Sequence, residues 1–214
     1  IGIDNKKPKI KSIFFQTINV DLEKISSNEN YYRQNKKKIE KVIKNKKING
    51  LINSAAFQTF KNFKKLTYMD LKKSLDINFF SIFRLFRLVE KNLSKNSGFL
   101  INISSIHSSL TKKNFTAYST SKSALTSLTK SLSIEVGNKI TCICIEPGAI
   151  DTGMLNKTLN DKKTYKKLEK NIPVQKIAKP EDIAKIINFL IVSKIRYMNG
   201  SIIDISGGLK NILI

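Results

Sequence analysis

Residues 98–122, GFLINISSIHSSLTKKNFTAYSTSK, can place a hydroxyl, a phenol and an ammonium in one pocket, and the rest of the chain is read around them. GFLINIS has the apolar and β-branched composition of a buried strand. In the segment after it, Ala117, Ala124, Leu125, Leu128 and Leu132 recur at helical spacing. Tyr118 and Lys122 then stand four apart on one helix face. A phenol with a pKa near 10 is a poor proton shuttle at neutral pH, but a neighbouring ammonium favours the phenolate and brings that value down. Ser105, at the strand end, can donate to the same substrate oxygen. A tyrosine tuned by lysine beside a polarising serine suits proton transfer to or from a carbonyl or alcohol oxygen.

The 214 residues suffice for one α/β core, and no break in composition divides 1–214 into two domains. No apolar run of about 18 residues marks a membrane span, so a soluble chain is expected. The net charge of +23 would suit nucleic acid or an anionic surface. The lysines, however, are spread over most of the chain and accompany an excess of Ile and Asn, the signature of an AT-rich genome, so no specific nucleic-acid partner is expected. The densest basic runs, at 31–47 and 161–170, read as solvated helix faces. Cys142 and Cys144 are read as facing opposite sides of a strand, hence as neither a disulfide nor a metal pair, and no metal is assigned. A reducing cytoplasm is the expected location.

Ser105, Tyr118 and Lys122 together resemble the active-site segment of the short-chain dehydrogenase/reductase family, with the serine thirteen residues before the tyrosine. The resemblance implies a doubly wound α/β fold, a Rossmann-like three-layer α/β/α arrangement around a parallel sheet. It also implies oxidoreductase activity that interconverts an alcohol and a carbonyl of a small-molecule substrate, with NAD as cofactor and NADP as the lesser choice. Other segments match in order. Asp4, after Ile1-Gly2-Ile3, matches the carboxylate at a strand tip that accepts from the adenosine ribose hydroxyls and repels a 2′-phosphate; it also reads as a solvated loop aspartate near Lys6 and Lys7. SIFFQTINV reads as a strand, and Asp21 after it resembles a carboxylate beside the adenine amino group or, equally, a helix cap. A basic helix over 28–47 leads to a buried strand opened by Leu51 and Ile52. Asn53-Ser54-Ala55-Ala56 resembles the family's Asn-Asn-Ala-Gly segment near the cofactor, through Asn53 and Ala55, with Ala56 departing from glycine.

A long apolar helix is expected from Met69 to about Lys95. Within it Asn78 matches an asparagine that holds a water linking the lysine to solvent. A buried polar residue there needs a partner in any case. KITCICIEPGAIDTGM reads as a buried strand followed by a turn, where Pro147, Gly148, Ile150 and Thr152 match residues lining the nicotinamide site. The resemblance implies that Lys122 also binds the nicotinamide ribose. It makes the Lys-rich 153–175 a lid over the substrate. A helix from Lys179-Pro180 to Ser193 and a strand over 201–205 follow, ending in Ser206-Gly207-Gly208 where the family usually has Asp-Gly-Gly. His107 reads as a loop residue or a substrate contact.

The family's first strand and Gly-rich pyrophosphate turn, expected about 20 residues before Asp4, are not in this sequence. In the order 3-2-1-4-5-6-7 that strand is central, so the chain is expected to be a fragment of a protein about 30 residues longer and to bind NAD poorly as it stands. The greasy helix implies a homodimer or homotetramer. A non-catalytic binding or regulatory protein on the same fold is the competing reading, and a basic nucleic-acid binder the third.

Overall fold

The computed structural model describes residues 1–4, 16–159 and 161–212. Among the described residues six strands, all paired in parallel, form two sheets. One holds β1 (Gly2–Asp4) and β2 (Thr17–Asn19); the other has the order β3 (Gly50–Asn53), β4 (Phe99–Ile103), β5 (Thr141–Pro147), β6 (Ile202–Ile205). Parallel neighbours require crossovers, and from β3 to β6 helices supply them. The helices are α1 (Leu22–Ser27), α2 (Glu29–Ile43), α3 (Tyr68–Leu75), α4 (Ser81–Lys95), α5 (Thr116–Glu135), α6 (Gly153–Thr158), α7 (Lys162–Asn171) and α8 (Pro180–Ser193).

The central strands are continuous apolar runs because both faces are covered. Every residue of β5 is buried. On one face Ile39 and Ile43 of α2 and Leu85, Phe86, Val89 and Leu93 of α4 pack with Leu100 and Cys142. On the other, Leu190 of α8 packs with Phe99, Ile101, Ile143 and Ile145. Residues two apart on a strand share a face, so Cys142 and Cys144 point the same way. The expectation of opposite faces misapplied that period. Both thiols are buried and free, since such spacing exceeds the short Cβ separation a disulfide needs.

Two further expectations change. Ile52, read as part of a buried strand, is 43% exposed, because β3 pairs only with β4 and is an edge of its sheet. The helix expected from Met69 to Lys95 is two α-helices joined by a π-helical turn, Asp76–Phe80. Its apolar residues are also less surplus than they look: Ile82, Leu85, Phe86 and Val89 are buried within the chain, while Phe80 and Phe83 are left exposed. The strand expected at SIFFQTINV is observed at Thr17–Asn19, and its beginning lies outside the described residues. The lysine-rich 153–175 holds two helices, α6 and α7, with side-chain caps from Thr152 and Asp161. Pro180 opens α8 as expected.

Candidate active site

Parallel pairing brings the C-terminal ends of β3, β4 and β5 to one edge of their sheet, where ligands bind in open α/β folds. Ser105 follows β4 and caps a short 3-10 turn, Ile106–Ser108, its Oγ accepting from the His107 N–H at 3.2 Å. On α5 the buried stripe runs through Ala117, Tyr118, Ser121, Lys122, Leu125, Thr126 and Thr129. The helix therefore turns Tyr118 and Lys122 inward together with Leu125. Leu128 and Leu132 are only half-buried.

Ser105, Tyr118 and Lys122 are brought together. Ser105 hydrogen-bonds the Tyr118 hydroxyl, and the Lys122 ammonium lies 5.8 Å from the centre of the Tyr118 ring. Lys122 is 1% exposed, and its Nζ donates to the Ile103 carbonyl at 2.8 Å. Electrostatics correct one expectation. Burial pushes the Tyr118 pKa up, with only the Ser105 hydrogen bond acting downward. Lys122 does not lower it here, because the ammonium is directed to a carbonyl and is itself desolvated, its pKa pushed down to about 8.

Asn78 sits in the π-helical turn with no exposure. Its Oδ1 accepts from the Phe57 N–H at 2.7 Å, and its Nδ2 donates to the Phe57 carbonyl at 2.8 Å and to Ser121 Oγ at 2.9 Å. Ser121 Oγ in turn donates to the Tyr118 carbonyl at 2.8 Å. Asn78 thus joins the loop after β3 to the Tyr118–Lys122 turn of α5. Asn53 is buried and donates to Asn102 Oδ1 at 2.7 Å, and Asn102 continues to Thr129 at 2.9 Å. That ladder, unread in the sequence, ties β3 to α5.

The remaining residues divide by place. Asp4 is exposed at the end of β1, and Ala55 is exposed just past β3. Asp21 caps α1, accepting from the Lys24 N–H at 3.2 Å. After Pro147, a Cβ on Gly148 would lie 2.9 Å from the Ser206 Cα, so only glycine fits where that turn crosses the end of β6. Ile150 pairs with Ala178, and Thr152 caps α6. His107 packs its ring 4.6 Å from Phe115 and 6.2 Å from Tyr118, and its Nδ1 is buried without a partner. Burial and the charge of Lys112 hold its pKa down, so it is neutral at pH 7. Among the described residues no cluster of His, Cys, Asp or Glu could hold a metal ion, and no helix is long and apolar enough to cross a membrane.

The strand ends carry small residues, an acid at the tip of β1 and the half-buried 148–150 segment after β5, a set of groups whose chemistry suits a dinucleotide. Comparison with known proteins agrees. A family model described as enoyl-(acyl carrier protein) reductase matches residues 10–210. Carbonyl reductase (NADPH) 2 of Sus scrofa is 30% identical over 161 residues, 74% of this chain and 66% of its own length. The 3-oxoacyl-(acyl-carrier-protein) reductase of Buchnera aphidicola subsp. Baizongia pistaciae is 35% identical over 161 residues, 74% of this chain and 65% of its own length. The chain thus spans slightly under two thirds of these relatives. Among solved structures, 4-hydroxyisoleucine dehydrogenase complexed with NADH is similar, with a TM-score of 0.82 at 26% identity over 92% of this chain and 80% of that one. With the serine, tyrosine and lysine of the expected motif gathered at the sheet edge and a family model covering nearly its whole length, the chain belongs to the short-chain dehydrogenase/reductase family.

Proposed function

We propose that the protein is an NAD(P)-dependent oxidoreductase that interconverts an alcohol and a carbonyl in a small molecule. The observation that carries this reading is the Ser105–Tyr118 hydrogen bond with Lys122 buried one helical turn away. The nicotinamide cofactor, when bound, supplies the hydride to a carbonyl carbon or accepts it from a carbinol carbon. In reduction, the Tyr118 hydroxyl gives its proton to the developing alkoxide, while Ser105 donates a hydrogen bond to the same oxygen. Oxidation runs the same steps backward and requires the phenolate. Lys122 would bind the nicotinamide ribose, and Asn78, through Ser121, holds the turn of α5 that carries Tyr118 and Lys122. Asp4, Asp21, Asn53, Ala55, Pro147, Gly148, Ile150 and Thr152 are the proposed cofactor contacts, at or near the strand ends. The edges of β1 and β3 each pair on one side only among the described residues. Together with the exposure of Ile52, this supports a further strand lying between the two sheets.

The test is a screen of carbonyl compounds and alcohols, followed by absorbance of the reduced nicotinamide. Turnover of none, with cofactor bound tightly, would favour the non-catalytic reading.

Asp4 supports a preference for NAD. One relative is named for NADPH and one neighbour is complexed with NADH, so the relatives do not decide between the two cofactors. Asp4→Ala is expected to raise the ratio of NADPH-linked to NADH-linked kcat/KM by about tenfold, the effect of roughly 1.4 kcal/mol of relieved repulsion. An unmodified protein that already prefers NADPH would overturn this assignment.

The exposed Phe80, at the end of the π-helical turn, and Phe83 of α4 stand three apart and support a homo-oligomer built across that face. Light scattering at micromolar concentration should give a dimer or tetramer; a monomer would rule it out.

A further inference from the structure

Glu146 is the last residue of β5 before Pro147, and it is 1% exposed. A carboxylate that far from water persists only where its oxygens are partnered. Here both are. Oε1 accepts from Ser108 Oγ, in a short hydrogen bond, and from Thr126 Oγ1 at 3.1 Å. Oε2 is held by the Lys210 ammonium at 2.6 Å. These partners come from three separate places: the 3-10 turn after Ser105, the helix carrying Tyr118 and Lys122, and the segment after β6.

Each partner is attached to something functional. Ser108 closes the turn whose first residue is Ser105: its N–H donates to the Ser105 carbonyl at 2.9 Å, and its own carbonyl accepts from Ser123 Oγ of α5 at 2.6 Å. Thr126 Oγ1, with one proton to share between Glu146 and a second acceptor, also lies 2.9 Å from Ser104 Oγ, and Ser104 Oγ donates to the Lys122 carbonyl at 3.0 Å. Lys210 sits on a turn fixed by its backbone N–H to Ser206 Oγ at 3.2 Å. Gly207 and Gly208, with φ of +64° and +91°, run tightly against Ile172, Pro173 and Val174, the residues just after α7. Val174 N–H donates to the Gly207 carbonyl at 3.2 Å.

From this arrangement we infer that Glu146 and Lys210 are positioning residues, a clamp with a buried carboxylate and a half-buried ammonium that couples the serine-bearing turn to the segment closing the 153–175 region. An apolar pair of the same volume would fill the space without the desolvation cost of two charges. An ion pair with two added hydroxyl bonds fixes relative orientation as well as contact. The charge-assisted bond to Ser108 sets the turn from which Ser105 reaches the Tyr118 hydroxyl. The consequence for turnover rests on the oxidoreductase reading above; the mechanical coupling does not.

The test uses Lys210→Met, which keeps the stem and removes the ammonium, Lys210→Arg, which restores a cation, and Glu146→Gln, which keeps hydrogen bonding without charge. Hydrogen exchange by mass spectrometry reads the coupling directly. Lys210→Met and Glu146→Gln should raise deuterium uptake several-fold in peptides covering 104–110 and in those covering 172–178. Lys210→Arg should return both towards the unmodified level. In turnover with an established substrate, Lys210→Met should lower kcat about tenfold with KM within twofold, and Lys210→Arg should recover most of it. Increased uptake confined to 206–212, or a lowered melting temperature with kcat unchanged, would overturn the clamp. Exchange that behaves as expected in a protein without carbonyl turnover would uphold the coupling and count against the oxidoreductase reading instead.

Discussion

Tyr118→Phe is expected to lower kcat by on the order of 100- to 10,000-fold, the range that a positioned acid/base contributes. Phenylalanine keeps the ring that packs edge-on against Phe115 at 5.9 Å, so the fold and cofactor affinity should change little. What disappears is the one hydroxyl that meets Ser105. Because burial raises the Tyr118 pKa, the phenol stays protonated at neutral pH. Carbonyl reduction should hold its rate into mildly alkaline conditions, while alcohol oxidation climbs with pH as the phenolate forms. Steady-state kinetics in both directions, with cofactor titration by fluorescence, check all three statements. More than about a tenth of the activity retained would remove Tyr118 from its role.

Lys122→Met should change how stability depends on pH. The buried ammonium has a pKa pushed down to about 8 from an ordinary 10.5. Below about 8 it is protonated in both folded and unfolded chains, and the folded state carries the full cost of desolvation. As pH rises above 8 the folded chain loses this proton while the unfolded chain keeps it, so the unfolded state binds more protons and stability increases. At 1.36 kcal/mol per unit, the gain between about pH 8 and pH 9 is roughly 1 kcal/mol. From about pH 8 the buried Cys142 and Cys144 thiols, both pushed up from 9.0 by burial and Cys142 to about 12, act in the opposite direction, because the unfolded thiols ionise first. Denaturant titrations between pH 7 and 9 should therefore show a more positive slope of stability against pH in the unmodified protein than in Lys122→Met, which keeps only the downward slope of the thiols. Equal slopes would mean that Lys122 is not desolvated as described. The variant should also lose most turnover and leave the Ile103 carbonyl without its partner, at a cost of about 1–3 kcal/mol.

What the sequence by itself determined follows from short-range regularities. The strand-helix alternation, the Pro opening α8 and the four-residue spacing of Tyr118 and Lys122 depend on local periods of 2 and 3.6. So does the delivery of Ser105 from a strand end to a helix start. These features needed no knowledge of distant neighbours, and they carried the family resemblance with them. Even there, the two cysteines were assigned to opposite faces although their spacing places them on one.

Tertiary structure decided the rest, because burial and partners depend on residues far apart in the chain. Ile52 looks like any buried strand residue until pairing makes β3 an edge. The apolar helix around Asn78 gives no local sign of a π-helical turn; its widening accompanies a side chain that bonds Phe57, 21 residues back, and Ser121, 43 ahead. Leu128 and Leu132 keep the helical period, yet the buried stripe of α5 passes through Tyr118, Lys122, Thr126 and Thr129 instead, since polar partners on the sheet await them. The direction of the Tyr118 pKa was also out of reach. Proximity to a lysine predicts a fall, but desolvation inside the folded chain outweighs it while the ammonium is turned to a carbonyl. Glu146 and Lys210, 64 residues apart, carry no shared motif, and only the fold makes them neighbours. A charge in a strand can be read from sequence, but whether it is solvated, orphaned or clamped is settled by which segments the core brings against it.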